Sequence, residues 1–504
     1  MRPPRAPRCV AQALAAIAIL VVCASACTAS RGPPKSANPP YPSVPVLPSV
    51  GIRPNTGAPC AGVGLSTRDN LQSAINAHPA RTTFCFADGV YRIGNHLTPR
   101  DGDTFKGSSN AILDGSVVVA SWTLTPGRAT WTAALKPPVI PVSPYRCRPR
   151  SATTCHWDGD LFFDGAHLAP VASVSAVRQG TVYVDQGRRK AYIGQDPTGH
   201  IVEEAVADAI IADGSGWTVD GLTVQKAANH VQDGALDGDN ITVRNAEIRL
   251  NHGVGVYGHD RSTITNNFIH DNGQMGFSGF GGPITITGNE IARNNLDGFE
   301  WQQEAGGGKC YKCTDATISG NYVHNNAGPG IWCDTDCIRV VIASNLVEDN
   351  IGPGIYYEIS YQGSIRNNVV MRNATDLHAS PLHVTGGIGV ETSKDVDISG
   401  NTLQDNGNGI VLVATHRGSG RYGPHVLARV QVHDNTLRQP TGVVGMVNHV
   451  GDAKAWTALG NAFRHNTYFL AGNVRPFLWQ ENLLDPAGWR AAGQDKDGIY
   501  VTGG

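Results

Sequence analysis

From residue 241 onward, apolar residues recur at alternate positions in short groups, punctuated by asparagine and glycine at nearly constant spacing. The unit reads Asn-x-(Ile/Val/Leu)-x-x-Asn, then one or two glycines and a further apolar residue. It appears as Asn267, Ile269 and Asn272, and again as Asn289, Ile291 and Asn294. Asn321, Val323 and Asn326 repeat it, as do Asn345, Val347 and Asn350, and then Asn368, Val370 and Asn373. Asn401, Leu403 and Asn406 continue it, and Asn435 and Leu437 begin one more copy. The shortest steps are about 21 to 24 residues, the length of one solenoid coil. Steps of 32 to 34 residues are the same coil carrying a loop. Alternation places Ile, Val and Leu of successive short strands in one core, so the pattern predicts an all-β parallel β-helix. Asparagine suits the corners because it tolerates left-handed backbone, and asparagines stacked coil on coil can hydrogen-bond along the stack. Their expected role is structural.

The repeat resembles the right-handed parallel β-helix repeat family, the pectate-lyase-like superfamily, over about residues 60 to 480. Two flanking stretches fit that resemblance. Leu71 to Ile75 followed by Phe86 to Arg92 looks like the family's entry, with a short helix capping the open end. Asn466, Tyr468, Phe477, Trp479, Trp489 and Asp495 look like its closing segment. The expected organisation is a signal peptide at 1–26, a Pro-rich tether at 27–58, a cap and first coils at 59–114, an inserted β module at 115–213, core coils at 214–450 and a C-terminal coil and cap at 451–504. The module is read from alternating strands such as 161–165, 181–185 and 191–194 between turn residues.

Aligning the coils on their glycines gives two outward columns on one face. The first reads Tyr257, Ser278, Glu300, Trp332, Tyr356, Glu391, and the second His259, Phe280, Gln302, Asp334, Glu358, Ser393. Carboxylates alternate with large aromatics, and neither column contains lysine or arginine. Aromatic rings suit stacking on sugars, and clustered carboxylates suit acid/base catalysis. The expected catalytic residues are Asp334 and Glu358, with Glu300 or Glu391 as partner. Trp332, Tyr356, Tyr257, His259, Gln302, Trp301 and Asp336 are expected to contact a polysaccharide or oligosaccharide. Coils about 4.8 Å apart put neighbouring acids about 5 Å apart and diagonal ones about 8 Å apart, compatible with either stereochemical course of glycoside hydrolysis.

What the β-helix resemblance implies is a carbohydrate-active protein without fixing its chemistry. A glycoside hydrolase fits the paired carboxylates and requires no cofactor. A lyase or C5-epimerase is the alternative; His259, Tyr257 or Tyr356 would supply a base, and Asp334, Asp336 and Glu358 oxygen ligands for Ca2+. A non-catalytic carbohydrate-binding surface protein is the third reading. The polygalacturonase and alginate-epimerase motifs are absent.

Charge and cysteine content narrow the setting. The net charge of −2 and the lack of a basic run argue against nucleic acid. Arg2, Arg5 and Arg8, an apolar stretch from Ala11 to Val22, and Ala24 to Ala26 read as an export signal whose cleavage is expected to leave Cys27 as a lipidation site, with plain signal-peptidase release as the alternative. The expected product is a monomeric, exported lipoprotein on a bacterial surface. Of 11 cysteines, Cys9 and Cys23 leave with the signal. With Cys27 acylated, the remaining Cys60, Cys85, Cys147, Cys155, Cys310, Cys313, Cys333 and Cys337 form an even set suited to disulfides. Stacking of coils suggests pairing Cys313 with Cys337 and Cys310 with Cys333. A zinc site from these four is the alternative that export disfavours, and no metal site is assigned.

Overall fold

Each coil of the core is built from three short strands that pair in parallel with the same strands of the next coil. One coil runs through Thr317–Ser319, Tyr322–His324 and Ile331–Asp334, and its successor through Val341–Ala343, Leu346–Glu348 and Ile355–Glu358. Stacking generates two sheets of 13 strands and a third of 11. The chain is therefore a right-handed parallel β-helix. This computed structural model describes residues 59–136, 146–148, 154–157, 159–375 and 386–503. The expected export signal and tether, and Cys27, lie outside the described residues.

Inward positions carry the apolar repeat. Ile264, Ile286, Ile318, Ile342, Ile365 and Ile398 form one stack, and Ile269, Ile291, Val323, Val347, Val370 and Leu403 another, all fully buried. The corners are made by a division of labour. The residue before each recurring asparagine takes the left-handed conformation, as at Asn266, Gly288, Gly320, Ser344, Asn367 and Gly400. The recurring asparagine itself does not, and instead turns its amide inward. This corrects the expectation that the repeat asparagine is the left-handed residue.

Those amides form two ladders. In one, Nδ2 of Asn267, Asn289, Asn321, Asn345, Asn368, Asn401 and Asn435 each donates to Oδ1 of the next asparagine at 2.9–3.0 Å. The last rung, Asn466, donates to Asp495 at 2.8 Å, so a carboxylate closes the stack. The other ladder runs from Asn251 through Asn272, Asn294, Asn326, Asn350 and Asn373 to Asn406. Each Oδ1 also accepts the backbone N–H of the preceding rung, as between Asn345 and Asn368 at 3.0 Å. Every rung is buried and satisfied, which is the condition for a polar group in a core to stabilise.

The ends are covered as expected. Helix Leu71–Ala77, capped by Asn70 accepting from the Ser73 N–H, buries Leu71 and Ile75 on the first coil. At the far end Trp489 is fully buried and stacks on Phe477. Between the early coils, strands from Ser116–Val118 to Val202–Ala205 form two small sheets outside the solenoid. They dock through buried Glu203, which pairs with Lys226 and Arg92 of the coils.

The cysteines depart from expectation. Disulfides join Cys60 to Cys85, Cys147 to Cys155 and Cys310 to Cys313, whereas Cys333 and Cys337 are buried thiols. Cys310 and Cys333 are register partners on adjacent strands. Parallel neighbours hold their Cβ atoms about 4.8 Å apart, beyond the roughly 3.5–4.5 Å that a disulfide spans. Cys337 does stack on Cys313, its sulfur accepting the Cys313 N–H at 3.3 Å, but the bond runs along the coil instead.

The ladder makes a direct prediction. Asn345→Ala removes the Oδ1 that accepts the Asn321 backbone N–H and one Nδ2 hydrogen of Asn321, and the Nδ2 that donates to the Ile318 carbonyl and Asn368 Oδ1, at about 1–3 kcal/mol per buried group left unsatisfied. Thermal unfolding monitored by circular dichroism is expected at clearly lower temperature than wild type. An unchanged melting temperature would show that the ladder is dispensable.

Candidate functional site on the third sheet

Register pairing fixes which side chains share a column. Along the outward face of the third sheet one column runs Asp237, Tyr257, Ser278, Lys309, Trp332, Tyr356, Gly389. Its neighbour contains Phe280, Tyr311, Asp334, and then Glu358 paired with Glu391. Three carboxylates, Asp334, Glu358 and Glu391, therefore occupy one column on three consecutive coils.

Two expected positions move. Residues 298–302 are not a strand; the coil's strand is Gly306–Tyr311, and the preceding segment is a loop with the short helix Trp301–Glu304. Glu300 sits at the start of that helix, Gln302 is exposed on it, and Trp301 is buried against Cys147, Cys155 and Phe299. None of the three lies in a column. The true strand is hard to see because its inward position is Gly308, where a Cβ would fall 2.1 Å from the Phe277 ring. Phe277 fills the core for both coils. Glu391 moves by two residues, from the aromatic column to the acidic one, because Gly387 and not Gly389 is equivalent to Gly354. Ile355 pairs with Ile388.

The corrected register also overturns the reading that no cation relieves the acids. Lys309 lies in the column itself, 97% removed from solvent, with Nζ 2.7 Å from Asp334 Oδ2 and 2.6 Å from Glu304 Oε2. It also lies 4.1 Å from the centre of the Trp332 ring. Burial disfavours its charge, but Asp334 and Glu304 more than offset this and raise its pKa. A second cation arrives from a loop: Arg417 donates to Glu358 Oε1 at 2.5 Å and to Glu391 Oε1 at 2.9 Å. The hairpin beyond it, Ser419–Gly420 with Gly423–Pro424, is pinned by Tyr361 Oη to the Gly423 carbonyl at 2.7 Å.

Glu391 is the most firmly held acid. It accepts from Arg417, from Tyr356 Oη at 2.7 Å and from Thr415 Oγ1 at 2.8 Å. Glu358 accepts from Arg417 and from Trp332 Nε1 at 3.1 Å. Burial, then Asp334 and Glu391 on either side, push Glu358 up to about 7, against the opposing pull of Arg417. Four carboxylates, counting Glu304, share two cations, and Glu358 sits between the other two acids of its column.

The aromatics divide into two groups. Trp332 and Tyr356 stack on each other at 5.5 Å and are buried with Val411, Val413, Val443, Val447 and Leu478. They wall the acids and do not form an open platform. Tyr257, His259, Phe280 and Tyr311 are more accessible: Tyr257 stacks on His259 at 4.3 Å, and Phe280 on Tyr311 at 6.1 Å. Burial and Asp237 push the Tyr257 phenol up to about 12, so it stays protonated. Asp336 lies apart, its Oδ1 accepting from His425 Nε2 and the Arg421 N–H. Asp334, Asp336 and Glu358 are thus each engaged by a different cationic or imidazole partner. Among the described residues they form no shared donor set for a metal.

Lys309, Glu304 and Arg417 were not legible beforehand. Lys309 was hidden by the misplaced strand, and Arg417 lies in the loop implied by the long step from Asn401 to Asn435.

The family model "Right handed beta helix region" matches residues 208–403. No match is found among curated protein sequences. Among solved structures, the chain is similar to the complex of XylC with xylose, with 15% identity and TM-score 0.60 over 86% of this chain and 82% of that one. It is also similar to the catalytic unit of a GH87 alpha-1,3-glucanase from Streptomyces thermodiastaticus strain HF3-3, with 14% identity and TM-score 0.50 over 89% and 69%. At these identities the likeness establishes the fold.

The electrostatics are testable without any substrate. Arg417→Met removes the charge that lowers the Glu358 pKa, so the Glu358 titration, followed by infrared carboxyl absorption, is expected above the wild-type value of about 7. Because the folded value exceeds the ordinary one, protonation of Glu358 favours folding. Stability is lost as pH rises from the ordinary carboxylate range through about 7, and Glu358→Gln should flatten that slope. A Glu358 that titrates below 5 in wild type, or a slope that Glu358→Gln leaves intact, would contradict this electrostatic picture.

Proposed function

We propose that this protein is an exported polysaccharide-degrading glycoside hydrolase whose proton donor is Glu358. The observation that carries the reading is the single column of three acids in which the middle member is raised to about 7 while its neighbours are paired with cations. A glycosidase needs one carboxyl that still holds its proton and one that does not. Here Asp334 and Glu391, paired with Lys309 and Arg417, are the partners of Glu358 in the column. The proton of Glu358 is delivered to the glycosidic oxygen of the leaving sugar, and an ionised neighbour then either activates water or attacks the anomeric carbon. Tyr257, His259, Phe280 and Tyr311, continuing along the same face, offer rings for sugars on one side of the cleavage point. No cofactor takes part in this scheme.

A second reading has its own support. Lys309 and Arg417 bring into the acidic column the cations that a uronate substrate requires, which favours β-elimination or epimerisation more than the sequence alone suggested. Export to an oxidising compartment, with anchoring through Cys27, agrees with three disulfides among the described residues. No described helix is long and apolar enough to cross a membrane.

The test is purified protein on a panel of neutral and uronate polysaccharides, reading reducing ends and ultraviolet absorbance together. Reducing ends without an absorbing product are expected, with activity falling as pH rises through about 7. Glu358→Gln and Asp334→Asn are each expected to lose roughly 100- to 10,000-fold. An unsaturated, absorbing product would establish the lyase. Full activity in both variants would remove these residues from the chemistry, and binding without turnover across the panel would favour a non-catalytic surface protein.

A further inference from the structure

A second cluster of ionisable groups lies away from the acidic column, where the small outer sheets meet the solenoid. Asp160 precedes strand Leu161–Phe163, and His167 ends the adjoining strand Ala166–His167. His252 comes from a coil, beside the rung Asn251, and Asp297 from the loop that carries helix Trp301–Glu304. Three segments distant in sequence, the hairpin carrying Asp160 and His167, a coil and a loop, thus place two carboxylates and two imidazoles together. Their side chains retain 9%, 11%, 0% and 2% of their exposure, respectively.

The geometry is layered. His167 Nε2 faces Oδ1 of Asp160 at 3.5 Å and Oδ1 of Asp297 at 3.4 Å. On the opposite side, His252 Nδ1 faces Oδ2 of Asp160 at 3.2 Å and Oδ2 of Asp297 at 3.0 Å. His252 hydrogen-bonds Asp160 through Nδ1. Asp297, almost completely buried, thus has an imidazole nitrogen facing each of its oxygens, His252 on one and His167 on the other. Buried carboxylates are costly unless compensated, and two of them converging with an imidazole nitrogen within 4.8 Å form a donor set of the kind that holds a metal ion.

Donor spacing indicates which ligand. Metal bonds of about 2.0–2.2 Å to imidazole nitrogen and carboxylate oxygen put tetrahedral neighbours about 3.4 Å apart. His167 Nε2 stands 3.4 and 3.5 Å from the two carboxylates, and one donor atom from each of Asp160, His167 and Asp297 lies within 4.8 Å of the others. Imidazole with carboxylate suits a borderline transition ion, whereas Ca2+ and Mg2+ favour oxygen ligands throughout.

We propose that Asp160, His167 and Asp297 bind one divalent transition-metal ion of the zinc class, with His252 orienting the carboxylates from behind. The ion clamps the outer sheets to the loop of Asp297. That loop ends in Glu304, which holds Lys309, so the metal braces one wall of the acidic site without touching it. A hydrogen bond from the imidazole behind a ligating carboxylate is the usual way such ligands are fixed. No spacing motif announces this site, because its four residues are brought together only by the insertion and the long loop.

The experiment uses the full chain, stripped with a chelator and reloaded with Zn2+ or Co2+, with Ca2+ and Mg2+ in parallel. One Zn2+ per chain after gel filtration is expected, along with a rise in melting temperature that Ca2+ and Mg2+ do not reproduce. The Co2+ form should show visible d–d bands without a thiolate charge-transfer band, which separates this site from the thiols of Cys333 and Cys337. His167→Ala and Asp297→Asn should abolish stoichiometric loading, whereas His200→Ala, at an exposed His–Asp pair of the same outer sheets, should retain it. Should the first two variants fail to fold, X-ray absorption of the wild-type Zn2+ form decides, with nitrogen and oxygen scatterers and no sulfur expected. Absence of stoichiometric Zn2+ in wild type, a sulfur ligand, or unaltered loading of folded His167→Ala would overturn the proposal.

Discussion

The hydrogen bond from one asparagine amide to the next is the contact on which the rest of this molecule depends. A parallel coil has no hairpin to set its register, and apolar stacking tolerates slippage because Ile, Val and Leu resemble one another. The amide ladders do not tolerate it. Asn267 to Asn466 on one corner and Asn251 to Asn406 on the other form paired rails, each rung donating its amide and its backbone N–H to its own neighbour. Loops of different length can then leave a coil and return to it without shifting the strands. The ladder from Asn289 to Asn321 closes at 3.0 Å across a 32-residue step, as does that from Asn321 to Asn345 across 24 residues.

That tolerance is what allows the acidic face to be assembled. Asp334, Glu358 and Glu391 are brought into one column by register, but the groups that set their charge come from excursions. Glu304 arrives from the loop before its strand, and Arg417 from the loop after a later one. The rails supply fixed positions, and the loops supply the electrostatics. A coil without loops would offer acids on a lattice with nothing to distinguish one from another.

The same division explains what could be read from sequence. The coil, its core columns and its capped ends are local and periodic, so they appear as spacing. The acidic pair Asp334 and Glu358 was visible because both coils fit the repeat without interruption. Glu391 was displaced by two residues where consecutive glycines offered two equally good alignments. Residues 298–302 imitated a strand while the real one, glycine-rich and lacking an inward side chain at Gly308, did not resemble the others. The disulfides were misjudged for a related reason: stacking brings cysteines of adjacent coils near, yet adjacent parallel strands hold Cβ atoms too far apart to bond. Contacts between an excursion and a coil, such as Glu304 with Lys309 or Asp297 with His252, leave no periodic trace.

The position of the acids along the solenoid is itself informative. Towards the C-terminal end the outward face is apolar and buried, with Val411, Val413, Val443, Val447 and Leu478 joined to Trp332 and Tyr356. In the other direction it is polar and aromatic, from Tyr311 through Phe280 to His259 and Asp237. The acids stand at this boundary. Trp332 and Tyr356 withdraw water from Glu358 while their own polar atoms bond to Glu358 and Glu391. Desolvation is accordingly the largest influence on Glu358, ahead of either neighbouring acid. Placed a few coils earlier, the same carboxyl would lose this apolar wall and with it the main reason to keep its proton near neutrality.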